Sequence, residues 1–176
     1  IRDSGNARYE KGKCSLNAGE HYLIIPSFSP ENKPLGYHSA ITANAAMDIS
    51  AAKDVINMYT EMLNYTKVDG YEQAVSEAEA LLRLLPDFMY DESGAVKEWS
   101  VKEYGENNAH RHISHLYPAW PALQTQHDSK LAAACRQAII NRNHENKGKD
   151  DTASHGWIHK ALSLIHISEP RDMRRS

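Results

Sequence analysis

Between Pro26 and Pro34 the chain reads PSFSPENKP, three prolines in nine residues with Glu31 near the middle. Each proline fixes one backbone torsion, so a carboxylate here is aimed rather than swept through solvent. A carboxyl group so held suits general acid work, above all the hydrolysis of a glycosidic bond, where one acid protonates the leaving oxygen and a second carboxylate activates water. A loop Glu is also an ordinary solvated group, and the residues alone leave both readings open. The histidines are the second chemical resource. Ten are present, three of them in the string His110-Arg-His-Ile-Ser-His115. His110 and His112 would share a face on a strand, His112 and His115 on a helix, so no single local conformation gathers all three. With no H-E-x-x-H pattern and no nearby cysteine pair, hydrogen bonding around a polar pocket is expected rather than a metal, and Arg111 can fork onto hydroxyls or carboxylates. Trp99, Trp120 and Trp157 stand beside charged or His residues. They suit either packing of helix ends or a platform on which the apolar face of a sugar stacks. Glu98 beside Trp99 favours the second.

Helices must position these groups. Apolar residues recur at helical spacing from Thr42 to about Lys67, through Ala46, Met47, Ala51, Val55, Met58, Tyr59, Met62 and Leu63, and Gly70 closes the run. A second helix is predicted over Tyr71–Leu85, with Ala74, Ala78, Leu81, Leu82 and Leu85 on one stripe and Pro86 as the stop. The intervening turn is short, which predicts an antiparallel hairpin. A third helix is predicted from Ser129 to Asn141, capped by Asp128 or Ser129, with Leu131, Ala134, Cys135, Ala138 and Ile139 inward. A fourth begins near Ser154 and carries Trp157, Ile158, Ala161 and Leu162. His21–Ile25 could pair locally, but no large sheet is expected. The segment from Asp91 to Gln126 is too long for an idle connection.

Composition narrows the possibilities. The chain has 176 residues, with 20 Lys and Arg against 23 Asp and Glu, a net charge of −3. That balance gives no electrostatic case for nucleic acid or anionic lipid, and no apolar run approaches the ~20 residues of a membrane span. A neutral or small partner is expected. Cys14 and Cys135 lack metal or disulfide-framework spacing and read as two buried free thiols. No G-x-S-x-G or phosphate-loop pattern occurs. The last stretch, Leu162 to Ser176, breaks the helical stripe and resembles translated adapter sequence. Residues 162–176 are therefore expected to be a non-native tail.

In order along the chain, PSFSPEN at 26–32, Ala46-Met47-Asp48, Lys97-Glu98-Trp99, HRHISHLYP at 110–118, and Gly156-Trp157 with Lys160 resemble the catalytic domain of glycoside hydrolase family 95. The resemblance covers about residues 17–161. It implies an all-α fold, part of an (α/α)6 barrel, and an enzyme that removes terminal α-L-fucose or α-L-galactose from oligosaccharides or polysaccharides with inversion and without a cofactor. It places the general acid at Glu31, sets Arg111 and His112 at the border of the sugar pocket, and puts Glu98, Trp99 and Asp48 near the site as substrate-binding residues. The family's base-side Asp, in a D-G-N-F-G-like segment, and its upstream Asn pair have no counterpart here. Asn141-Arg142-Asn143 has a comparable spacing but stands at the wrong place in the order. Gly156-Trp-Ile-His-Lys160 also lacks the family's usual second Trp, which leaves the choice between fucose and galactose open. Because twelve helices need roughly 200 residues, residues 1–161 are expected to be an internal part of one catalytic domain, inactive alone. An extracellular or periplasmic setting follows from the resemblance. The alternative is a non-catalytic carbohydrate-binding helical module built on Trp99, Trp120 and Arg111.

Overall fold

The structure, a computed structural model, describes residues 9–10, 13–14, 21–146 and 154–168. It is all-α in class. Four helices, α1 (Ala46–Thr66), α2 (Tyr71–Leu84), α3 (Ser129–Asn146) and α4 (Ser154–Ser168), are accompanied by two short 3-10 turns, Ser114–Leu116 and Gln124–Gln126. Two antiparallel pairs of two-residue strands complete the described secondary structure: β1 (Tyr9–Glu10) with β2 (Lys13–Cys14), and β3 (Ser27–Phe28) with β4 (Ile41–Thr42). No described helix is long and apolar enough to cross a membrane.

Helices α1 and α2 pack on each other as the predicted hairpin. Lys67 ends α1 in the left-handed conformation, its N–H bonding to the carbonyl of Leu63, and Gly70 takes φ +79°, a torsion glycine adopts freely. The predicted stripe of α1 is only partly covered. Ala46, Ile49, Ser50 and Leu63 are buried, whereas Val55, Met58, Tyr59 and Met62 are exposed. Their periodicity marks an apolar face, but among the described residues α2 and the first 3-10 turn do not reach it.

Helix α3 behaves as predicted and runs one turn further. Leu131, Ala134, Cys135, Ala138 and Ile139 are all buried, and the helix continues past Asn141 to Asn146. Its cap is Asp128, whose Oδ1 accepts the N–H of Leu131 at 2.9 Å. Asp128→Ala should therefore lower the unfolding free energy by ~1 kcal/mol, read by urea denaturation; no change would mean that solvent satisfies those amides equally well. Cys135 is a free, buried thiol, and burial pushes its pKa up to about 12. The Cys14 side chain lies outside the described residues.

Helix α4 begins at Ser154 and carries Trp157, Ile158, Ala161 and Leu162, as predicted. Gly156, Lys160, Ser163 and Ile167, spaced four, three and four apart, are buried, while Trp157 and Ile158 are more than half exposed. A helix cannot turn both rows inward, and the row carrying Ile167 joins the core formed by Val96, Ile113, Leu116, Leu131, Cys135 and Ile139. The helix thus does not break at Leu162; residues 169–176 lie outside the described part.

The long segment between α2 and α3 is pinned rather than loose. Val96 donates to the carbonyl of Ala134 on α3, Ala46 to that of Glu98, and Ser100 to that of Asn44. Near the start of the chain, His21–Ile25 forms no strand pair of its own among the named strands. It is tied by Tyr22 N–H to Leu84 and by the Ile24 N–H to the Asn44 side chain, and the local pairing falls on β3 and β4.

Candidate functional site

Glu31 stands at the exposed tip of the proline-held loop, and nearly everything around it in sequence is tied down. The Ser29 hydroxyl donates to Glu98 Oε1 at 2.6 Å, and Asn32 Nδ2 donates to Glu98 Oε2 at 2.7 Å. The carbonyl of Pro30 accepts from Ser114 Oγ at 2.7 Å. Residues 29, 30 and 32 are thus fixed from below, and the side chain of Glu31, 63% exposed, projects outward.

Arg111 and His112 meet it there, 80 residues on in sequence. Arg111 Nη2 pairs with Glu31 Oε2, and His112 Nε2 lies 3.4 Å from the same oxygen. The 3-10 turn at Ser114–Leu116 follows directly, so one short stretch supplies both the groups that face Glu31 and the hydroxyl that holds its loop. His110 packs against His112 with ring centroids 5.4 Å apart, and its Nδ1 accepts the His112 N–H. Burial, then the charge of Arg142, lowers the His110 pKa. Among the described residues no three His, Cys, Asp or Glu side chains converge as a metal site would require.

Beneath the loop lies a closed polar cluster. Glu98 is fully buried and receives, besides Ser29 and Asn32, Arg142 Nη2 at 2.7 Å. Arg142 itself has no exposed surface. It also donates to the Asn107 carbonyl at 2.8 Å and to His115 Nδ1 at 3.3 Å. Burial alone would raise the Glu98 pKa, but the Arg142 guanidinium, with the Ser29 hydroxyl, outweighs it and holds the carboxylate ionised below its ordinary range. Burial, then Arg142, pushes His115 down to about 3, which leaves a neutral imidazole to accept from the arginine. Glu106 lies alongside, its Oε2 accepting the Glu98 N–H at 2.8 Å. Burial, with the charge of Glu98, raises its pKa to about 7.

The six residues singled out by sequence therefore fall into three places. Glu31, Arg111 and His112 form one exposed constellation. Glu98 and Trp99 have no exposed surface; Glu98 lies under the loop, bonded to Ser29 and Asn32, and Trp99 bridges by its backbone to Ala45. Asp48, in the first turn of α1, takes the Ser27 hydroxyl at 2.6 Å and the Phe28 N–H at 3.2 Å, which ties the helix N-terminus to β3. A cleft of about 210 Å³ adjoins the constellation, lined by Pro30, Met47, His112, Tyr117, Trp120 and His159 among others. Trp120 is the one tryptophan that contributes to it, its ring 5.4 Å from that of His159. Two larger grooves, each of about 540 Å³, are lined by none of these site residues. Their volume alone gives them no claim to the chemistry.

Sequence reasoning missed Arg142, Asn32, Asn107 and Glu106. A signal existed for the first. Arg142 stands four residues after Ala138 and three after Ile139, on the inward stripe of α3, and was hidden by ending the predicted helix at Asn141, one residue before it.

Residues 10–166 match the glycosyl hydrolase family 95 catalytic domain. The chain is also 24% identical over 151 residues to "Alpha-L-fucosidase 2" of Arabidopsis thaliana, an alignment that covers 82% of this chain and 17% of that protein. It thus spans about a sixth of the length of that curated relative. With the family match running from the strands before the Glu31 loop into α4, and with the S-P-E-N and H-R-H strings meeting in space, this chain belongs to glycosyl hydrolase family 95.

Proposed function

We propose that this chain supplies the acid side of an inverting glycoside hydrolase that removes terminal α-L-fucosyl or α-L-galactosyl groups from glycans. The observation that carries the reading is the meeting of Glu31 with Arg111 and His112, the last of which also lines the cleft with Trp120 and His159. A general acid must lie within hydrogen-bond reach of the oxygen it protonates, and Glu31 is the carboxyl group that the clamped loop presents outward. With no sugar bound, Arg111 holds the Glu31 carboxylate. When a sugar enters, the guanidinium fork engages its hydroxyls and leaves the Glu31 carboxyl facing the glycosidic oxygen. Inverting sites hold acid and base carboxyls about 6.5–9.5 Å apart to admit water. The family's base-side Asp and Asn pair have no counterpart here, so the isolated chain is inert and its activity belongs to a longer enzyme that contains it.

The test is stereochemical. The longer enzyme, given an α-L-fucoside, should release β-L-fucose first, seen by proton NMR before mutarotation, while the 176-residue chain alone releases none. First-formed α-L-fucose would overturn inversion. Turnover by the isolated chain that disappears in Glu31→Gln would overturn the claim of inertness.

A further inference from the structure

We propose that the buried pair Glu98–Arg142 is the positioning element of the acid, holding the backbone on both sides of Glu31 so that its carboxyl stays in line with the leaving oxygen. The inference rests on the reading of Glu31 as the acid and adds residues that touch no substrate. Its ground is the pattern of bonds. Glu98 uses one oxygen for Ser29 and the other for Asn32, the residues two before and one after Glu31. Arg142 then fixes Glu98 from α3, and through the Asn107 carbonyl it fixes Asn32 a second time, since that carbonyl also accepts Asn32 Nδ2 at 3.1 Å. Asn107 Nδ2 returns a bond to Asn32 Oδ1 at 2.9 Å. The ring of contacts closes below Glu31 and does not include it.

A cluster that merely stiffened the domain could sit anywhere in the core, whereas this one ends on the residues that flank the acid. Placing a reacting group about 1 Å off costs roughly 100-fold in rate, so a loose loop would fail at the proton transfer first. Chemistry separates that failure from a general loss of structure. A sugar leaving group needs a proton as the bond to C1 breaks; fluoride leaves without one from a carboxyl acid.

The experiment compares a disaccharide with a terminal α-L-fucose against α-L-fucosyl fluoride in the longer enzyme. Glu31→Gln should lower kcat on the disaccharide by about 100-fold or more and leave the fluoride within about threefold. Glu98→Gln, and separately Ser29→Ala, which leaves the ion pair intact should the first variant fold poorly, should lower kcat on the disaccharide by roughly 10-fold or more. Both should spare the fluoride and leave KM unchanged. Equal losses on both substrates, or no loss on either, would overturn the positioning role while Glu31 keeps its own. A Glu31→Gln variant that treats the two leaving groups alike would overturn the acid reading itself, and the positioning role with it.

Discussion

Arg142→Met should lower the unfolding free energy by roughly 3–5 kcal/mol, the range for removing one partner of a buried ion pair. Methionine fills much of the same space, so the loss is electrostatic rather than a cavity. Among the described residues Arg142 supplies the one cation bonded to Glu98, and both side chains are wholly buried. Its removal leaves a carboxylate with donors from Ser29 and Asn32 but no opposite charge. Linkage gives the effect a pH signature. In the wild type the Glu98 pKa lies below its ordinary value of 4.5, so the stabilisation is full above that range and fades as pH falls. In the variant Glu98, buried and unpaired, favours the protonated form instead, so the penalty should shrink from pH 7 to pH 4. Urea titration at the two pH values measures it. A cost below ~1 kcal/mol at pH 7 would mean that water reaches Glu98. Replacing both partners, Arg142→Met with Glu98→Leu, should recover only part of the loss, because the buried Ser29 hydroxyl would then lose its acceptor, while Asn32 Nδ2 keeps only the Asn107 carbonyl.

How far the sequence could be read depended on where each residue's partner lay. The inward face of α3 was legible residue by residue, since a regular stripe ending on Ile139 needs only one core to fill. The stripe of α1 was equally regular, yet Val55, Met58 and Met62 stay exposed. Periodicity shows that a face is apolar and says nothing of what covers it. In α4 the helix was legible but its inward face was not: the row of Gly156, Lys160, Ser163 and Ile167 packs inward, with Trp157 and Ile158 exposed. Size alone does not mark the buried side there, because which row faces inward depends on what the rest of the fold presents to it.

The site divides in the same way. Glu31 and the H-R-H string were found through chemistry and family likeness, and their meeting across 80 residues is a tertiary fact that neither spacing nor propensity contains. Glu98 and Trp99 were expected near the site as substrate-binding residues; in the structure both are buried, and which way they face was not legible. The string Lys97-Glu98-Trp99 carries no periodicity that distinguishes a buried anchor from a sugar contact. Glu106 and Asn107 have no sequence signal at all, and their roles follow from Glu98 and Asn32 lying across from them.

Glu106 provides the other large effect, with the opposite sign from Arg142. Its pKa is about 7 in the folded chain against an ordinary 4.5, through burial first and the nearby Glu98 charge after it. Below pH 4.5 both states are protonated and the group has no effect. As pH rises from 4.5 to about 7 the unfolded chain has released this proton while the folded chain still holds it, and stability is lost across that window. Glu106→Gln keeps an oxygen for the Glu98 N–H and carries no charge. It should match the wild type at pH 4 and exceed it at pH 8 by about 3 kcal/mol, the stability given up between the ordinary 4.5 and about 7. His115, held down to about 3, erodes stability between pH 6.5 and 3 in both proteins and so cancels from the difference. A Gln variant no more stable than wild type at pH 8 would show that the Glu106 carboxylate is solvated in the folded chain.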